Sequence, residues 1–158
     1  MPDQPAADGG TQKASIGAPV DPFRNYNFLL TIQDVGDARF TECVGMGMRI
    51  HPIRYRESGA GQIVRALPGP VEYSEVTLRY GLTASTDLWN WLLLGVRGTV
   101  ARRHVSVVML DTDGVTEATR WNLINAWPCQ WSGAPLDAHG REVAIEELHL
   151  AFDSLDRS

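Results

Sequence analysis

The stretch that most limits what this chain can become is Arg120–Phe152, RWNLINAWPCQWSGAPLDAHGREVAIEELHLAF, two strand-like runs either side of a loop rich in Gly, Pro and Asp. In the first run Trp121, Leu123 and Trp127 fall at even spacing, so an extended segment carries large apolar groups on one face. In the second, Val143 and Ile145 share one parity and Leu148, Leu150 and Phe152 the other, with Glu146 and Glu147 at the change. Either a bulge re-aims the strand at that point or the segment is helical. The first run needs a partner, which favours the bulged strand. A chain built around this hairpin must also supply a cover for its apolar face.

Further runs have the period of two expected of strands. Tyr26, Phe28, Leu30 and Ile32 fall on one face of YNFLLTI, Val35-Gly36-Asp37 reads as a turn, and Phe40, Val44, Met46, Met48 and Ile50 continue the alternation. Gly45 and Gly47 alternate with Met46 and Met48, which marks a bulge or a close backbone approach, while the methionines read as core filling. Val76, Leu78 and Tyr80 make another strand ending at Gly81. Val105–Leu110 is apolar on both parities, as in a strand covered on both faces. Asp111-Thr112-Asp113-Gly114 is a hairpin turn, since the later ligand positions of a calcium loop are missing.

One helix stands out. Ser85 or Thr86 caps it, Asp87 suits its positive end, and LWNWLLLGVRG closes it at Gly95 or Gly98. Leu88, Trp91 and Leu92 share one face and Trp89, Leu93 and Val96 the adjoining one. So wide an apolar arc fits deep packing on a sheet, or packing on one side and a partner on the other.

Two segments lack such patterns. Residues 1–20 are Pro, Ala, Gly and polar types with almost nothing to bury, and are expected to be a flexible N-terminal tail before a single domain over 21–158. From His51 to Pro70 the alternation fails and a long extended loop is expected. Its apolar residues, Ile53, Tyr55, Ile63, Val64 and Leu67, imply that it becomes ordered on something.

Composition excludes several functions. Formal net charge is −5, which disfavours a general nucleic-acid binder. Cys43 and Cys129, far apart and without ligand spacing, read as free thiols. No apolar run approaches membrane-spanning length and the N-terminus lacks a secretory pattern, so no membrane insertion and synthesis in the cytoplasm are expected. His51, His104, His139 and His149 have no metal spacing, and GxSxG, P-loop and dinucleotide fingerprints are absent. Glu146 and Glu147, adjacent on a strand, point to opposite faces and cannot act as an acid–base pair. The expectation is a non-enzyme without catalytic, cofactor or metal sites.

In order and spacing, DPFRNYNF, ARFTECVGM, YRESG, LPGP with VTLRYGLT, DLWNW, ARRHVSVVMLD, RWNLINAWPCQWSGAPLDAHG and EVAIEELHLAF resemble the contractile phage tail tube protein family and the inner tube proteins of phage-tail-like contractile injection systems, over about residues 21 to 153. The resemblance implies a mainly β fold, a small antiparallel β-barrel or sandwich with one α-helix and a long extended loop, as in phage tail and type VI secretion tubes. It implies hexameric rings stacking into a hollow conduit for DNA or protein-effector cargo, or, as the alternative, a tube-initiating or baseplate-adaptor ring. Implied partners are a contractile sheath, baseplate, spike and cap proteins. Assembly in the bacterial cytoplasm into a virion tail or injection particle is implied as well. On this basis Arg49, Ile53, Arg54, Tyr55, Arg56, Glu57, Arg65 and Leu67 are inter-ring or inter-subunit contact candidates. Asp87, Trp89, Asn90 and Arg97 are candidates for an outer, sheath-side helix face.

Overall fold

The computed structural model describes residues 27–158 apart from 39, 60, 62 and 83. The expected tail, Tyr26 and the rest of residues 21–26 lie outside the described residues. Among those described, the elements run β1 (Phe28–Ile32), β2 (Gly36–Ala38), β3 (Glu42–Val44), β4 (Met48–Arg56), β5 (Val64–Tyr73), β6 (Val76–Gly81), α1 (Asp87–Val96), β7 (Arg103–Leu110), β8 (Glu117–Ser132), β9 (Ile145–Ala151) and β10 (Ser154–Arg157). Every strand pair is antiparallel. The main sheet has the order β2-β1-β7-β8-β9-β6-β3, with β10 also on β8, while β4 and β5 pair only with each other. Its end strands β2 and β3 do not meet, so of the two expected architectures the chain adopts the sandwich rather than the closed barrel.

The turning point is β8. Its first half pairs with β7 and β10, its second with β9. Leu123 is buried, and after Asn125, at φ 54, the buried positions become Ala126 and Pro128. A residue in the left-handed region shifts the alternation by one, and Asn tolerates that conformation better than most side chains. Trp127 therefore does not share the face of Trp121 and Leu123, contrary to the reading from even spacing. The expected bulge at Glu146–Glu147 is also absent: β9 runs in regular register along β6, and the irregularity sits on β8 between Pro128 and Gln130. Val143 precedes β9 and is exposed, while Ile145, the first residue of β9, is half-buried.

Leu30 and Ile32 of β1, Val105 and Val107 of β7 and Leu123 of β8 form one cluster with Val76 and Leu78 of β6 and Leu148 and Leu150 of β9. Each such side chain contributes roughly 1.5–3 kcal/mol on burial. Trp91 of α1 completes the core, 1% exposed, with its indole N–H donating to the Ala101 carbonyl at 2.7 Å. The helix thus covers the sheet through Leu88 and Trp91, leaving Trp89 and Val96 exposed. It ends at Gly98 (φ +90), whose N–H bonds to Gly95 while Thr99 N–H reaches Leu94. Both carbonyls at the helix end are satisfied in the manner that favours glycine there.

Three further expectations change. The turn before β2 is Gln33–Val35, and Gly36 and Asp37 already belong to β2, paired with Ile32 and Thr31. The alternation from Phe40 to Ile50 is broken into β3, a glycine turn and β4. Cys43 and Met46 pack on the core, whereas Val44, Met48 and Ile50 are exposed, so the methionines do not form one stripe. Gly45 (φ +92) lies where a Cβ would sit 2.6 Å from the Glu75 carbonyl oxygen, and the close approach expected of these glycines is made within the chain.

Candidate assembly interface

The expected loop from His51 to Pro70 is instead the greater part of a hairpin, β4–β5, which shares no ladder with the main sheet. The arm is nine residues long on β4, or about 30 Å at ~3.3 Å per residue. Its base is held by the Gly45–Glu75 approach, by Ser74 N–H donating to the Gly47 carbonyl at 3.0 Å, and by Tyr73 leaning on Phe152 at 5.7 Å. Further out neither face is covered. That is why the sequence carries no alternation here: a strand wet on both sides has no apolar face to mark.

The register sorts the arm into two faces. Ile53 stands opposite Leu67 and Tyr55 opposite Arg65 on one face. Arg54 faces Ala66 and Arg56 faces Val64 on the other. Nearer the base, Met48 with Tyr73 and Ile50 with Val71 continue the face that carries Arg54, while Arg49, His51 and Glu72 fall on the opposite one. Apolar character thus changes face along the arm, at the irregularity between Ile50 and Pro52. Gly69 is needed there, because a Cβ would sit 2.4 Å from the His51 carbonyl oxygen. Pro52 opposite Pro68 removes two N–H donors from an arm whose strands are both edges, a device that discourages indiscriminate strand pairing.

All eight candidate contact residues lie on the arm or at its tip, and all are exposed; Ile53 is 52% and Leu67 46% accessible. Arg65 approaches Glu57 only at 4.0 Å, and His51 Nε2 meets Glu72 at 2.6 Å. Among the described residues Arg49, Arg54 and Arg56 have no carboxylate partner. Ile63, noted for its apolar character, and Ile50 and Val71, which were not among the contact candidates, are each more than half exposed and belong with this surface. The signal available was their spacing across the hairpin, which needs the register to be known.

The helix candidates lie together at the surface. Asp87 accepts from Ser85 Oγ at 3.0 Å and Asn90 Nδ2 donates to Thr86 Oγ1 at 3.4 Å, while Thr86 itself makes no side-chain capping bond. Trp89 stands edge-on to Trp131 at 5.0 Å, and Arg97 takes the C-terminal cap position, where a cation suits the helix dipole. Beneath Trp89, the buried Trp131 indole N–H has no hydrogen-bond partner among the described residues. Nearby, burial pushes the Tyr80 phenol up to about 12, aided by Glu146.

Elsewhere, Arg79 bridges Glu42 at 2.6 Å and Glu147 at 2.7 Å across β3, β6 and β9, and these bonds hold its guanidinium charged beyond the ordinary range. Cys43 and Cys129 are free, and burial raises the Cys43 thiol to about 11. No group of three or more metal-ligating side chains is gathered among the described residues. No described helix is long and apolar enough to cross a membrane.

Body and arm define a class, the antiparallel β-sandwich that carries an unsupported hairpin away from its core. Within it the chain belongs to the T4-like virus tail tube protein gp19 family, whose model matches residues 24–156. No curated protein sequence is a significant match. A chain in the PVC sheath–tube complex of an extracellular contractile injection system, in the extended state, superposes with a TM-score of 0.79 at 22% identity, covering 87% of this chain and 91% of that one. A chain in the anti-feeding prophage tube-terminating cap gives 0.79 at 21%, covering 94% and 99%. Hcp1 from Salmonella typhimurium gives 0.54 at 13%, covering 82% and 83%. These superpositions place the mainly β fold of the described residues, with α1 as its one helix, alongside theirs.

Proposed function

We propose that this protein is the structural subunit of the inner tube of a contractile tail or injection system, with six copies closing a ring and rings stacking into a hollow conduit. The observation that carries the reading is the β4–β5 arm. A two-stranded ribbon alone is at best marginally stable in water, and this one exposes Ile53, Tyr55, Leu67 and Val71 beside unpaired arginines. Such a surface is economical only if a neighbouring subunit covers it. The family and the sheath–tube and cap neighbours support the setting. Sheath, baseplate, spike and cap proteins are its partners on this reading, the lumen carries DNA or protein effectors, and the tube is built in the bacterial cytoplasm. The exposed α1 face with Asp87, Trp89, Asn90 and Arg97 is assigned to the sheath side, and the role is structural rather than enzymatic.

Electron microscopy of the purified chain tests this. Long stacked rings are expected, and the double change Arg54→Glu with Arg56→Glu is expected to abolish stacking while thermal unfolding of the subunit is unchanged. Unaltered tubes would remove the arm from its role. Single rings from the parent chain would point to the tube-initiating or baseplate-adaptor alternative. A strictly monomeric protein at high concentration would overturn the assembly reading.

A further inference from the structure

The two half-sheets leave a gap where their end strands fail to meet. β2 is three residues long and its ladder reaches only Leu30–Ile32, so among the described residues the edge of β1 at Phe28 has no ladder partner on that side. Opposite stands β3, the end strand of the other half-sheet. Between them lies a groove of about 440 Å³, to which Phe28, Met109 and Trp121 come from one half-sheet and Phe40, Cys43 and Met46 from β3 and its flanks. Both oxygen-bearing side chains in the lining are already engaged: Thr41 Oγ1 donates to the Arg79 carbonyl at 3.0 Å, and Glu42 accepts from Arg79 at 2.6 Å. A small-molecule site orients its ligand through placed polar groups, whereas an inserted apolar side chain needs none.

The chain itself delivers such side chains to the mouth of the groove. Contact between β1 and β7 continues past Phe28, since Leu110 N–H donates to the Asn27 carbonyl at 2.8 Å and Asn27 Nδ2 to the Asp111 carbonyl at 3.2 Å. Of the alternating set Tyr26, Phe28, Leu30 and Ile32, the last two are buried in the core and Phe28 lines the groove. Faces alternate along an extended chain, so the position two before Phe28, about 7 Å away, belongs to the groove side. Phe23 is three residues further back, within roughly 10 Å of extended chain.

We propose that the chain's own residues 22–26, through Tyr26 and Phe23, dock in this groove and close the gap between the half-sheets. The docking is made within one subunit and does not depend on the tube reading. Two aromatic side chains set against Phe28, Met109 and Trp121 add apolar burial at the one place where the sandwich is open. Residues 1–20 then leave the domain from the seam beside β3, rather than straight on past the β7–β8 turn.

Cys43 is a built-in reporter, because it lines the groove and Cys129→Ser leaves it as the only thiol. In that full-length background, Phe23→Ser with Tyr26→Ser is expected to speed maleimide labelling of Cys43 at least about tenfold at a temperature below the variant's unfolding midpoint. An unchanged rate in the folded variant would overturn the docking. Tyr26→Cys in the same background gives a second reading, which decides the matter if the serine variant does not fold. A short thiol-to-thiol cross-linker is expected to join position 26 to Cys43 within one chain, as read by peptide mass spectrometry. Links found only between chains would assign the groove to a second copy, and no link would place the segment elsewhere; either result overturns the proposal. Protection of Cys43 that disappears once the background chain is unfolded and refolded in clean buffer would assign the groove to a small molecule and overturn it as well.

Discussion

The sandwich body and the β4–β5 arm are made of the same materials, alternating strands with apolar and charged residues, and they differ in what lies against them. In the body, Leu30, Leu78, Leu123 and Leu150 have no accessible surface, because two half-sheets and a helix close over them. In the arm, Ile50, Ile53, Tyr55 and Val71 are each about half exposed. Burial inside one chain stabilises that chain. Apolar surface left outside is a stabilisation deferred until a partner arrives. The comparison teaches that fold stability and assembly should be separable by substitution.

The largest expected effect follows directly. Trp91→Ala should cost the subunit about 3–5 kcal/mol in denaturant unfolding, since it empties the space under α1 and leaves the Ala101 carbonyl without its donor. Ile53→Ala in the arm should shift the same midpoint within about 0.5 kcal/mol, yet raise the concentration needed for tubes. Equal destabilisation by the two would erase the distinction between body and arm.

A smaller effect is expected at the join. Gly45→Ala forces a side chain onto a backbone at φ +92 with the Glu75 carbonyl oxygen 2.6 Å from the new Cβ. Strain of this kind costs on the order of 1–3 kcal/mol. Hydrogen exchange should show the loss concentrated at the base of the arm and in β6. Uniform loss throughout the body would mean that arm and body unfold as one unit.

The smallest concerns the turn between β7 and β8. The Asp113 carboxylate accepts from the Thr116 hydroxyl and from the Val115 and Thr116 N–H groups, and these bonds hold its pKa below the ordinary 3.8. A depressed folded value stabilises above the unfolded one and is lost as pH falls through the folded value. The turn should therefore keep its amide protection at pH 5 and lose it only below about pH 4, and Asp113→Asn should weaken the pH dependence of that protection. Titration of this turn at the ordinary value would remove Asp113 as its organiser.

What was legible beforehand follows the same division. Alternation marked β1 and β6, an apolar run on both parities marked β7, and the capped apolar run marked α1, because each has apolar surface to bury. Even there, details set by single residues escaped: Asn125 reverses the parity of β8 without any change in hydropathy, and Cys129, not Glu146, sits at the irregularity between β8 and β9. The arm read as a loop because neither face is buried and because Pro52, Pro68 and Pro70 argue against a strand interior. The arm's candidate residues came from the family resemblance, whereas a cavity lined by Phe40, Tyr80, Trp89 and Glu146 joins four separate parts of the chain. No local pattern announces such a meeting.

The corner in β8 has a mechanical consequence. One unbroken backbone of sixteen residues runs through both half-sheets. Where it turns, Asp153 holds Asn125 at 3.0 Å with one oxygen and Arg102 at 3.0 Å with the other. A pull that tries to part the half-sheets cannot slide one layer off the other, because the tension passes along covalent bonds. Tension directed along β8 must rupture rows of ladder bonds together in shear rather than peel them singly. Each subunit is thereby given a built-in tendon, stiff along its length and pinned at the bend.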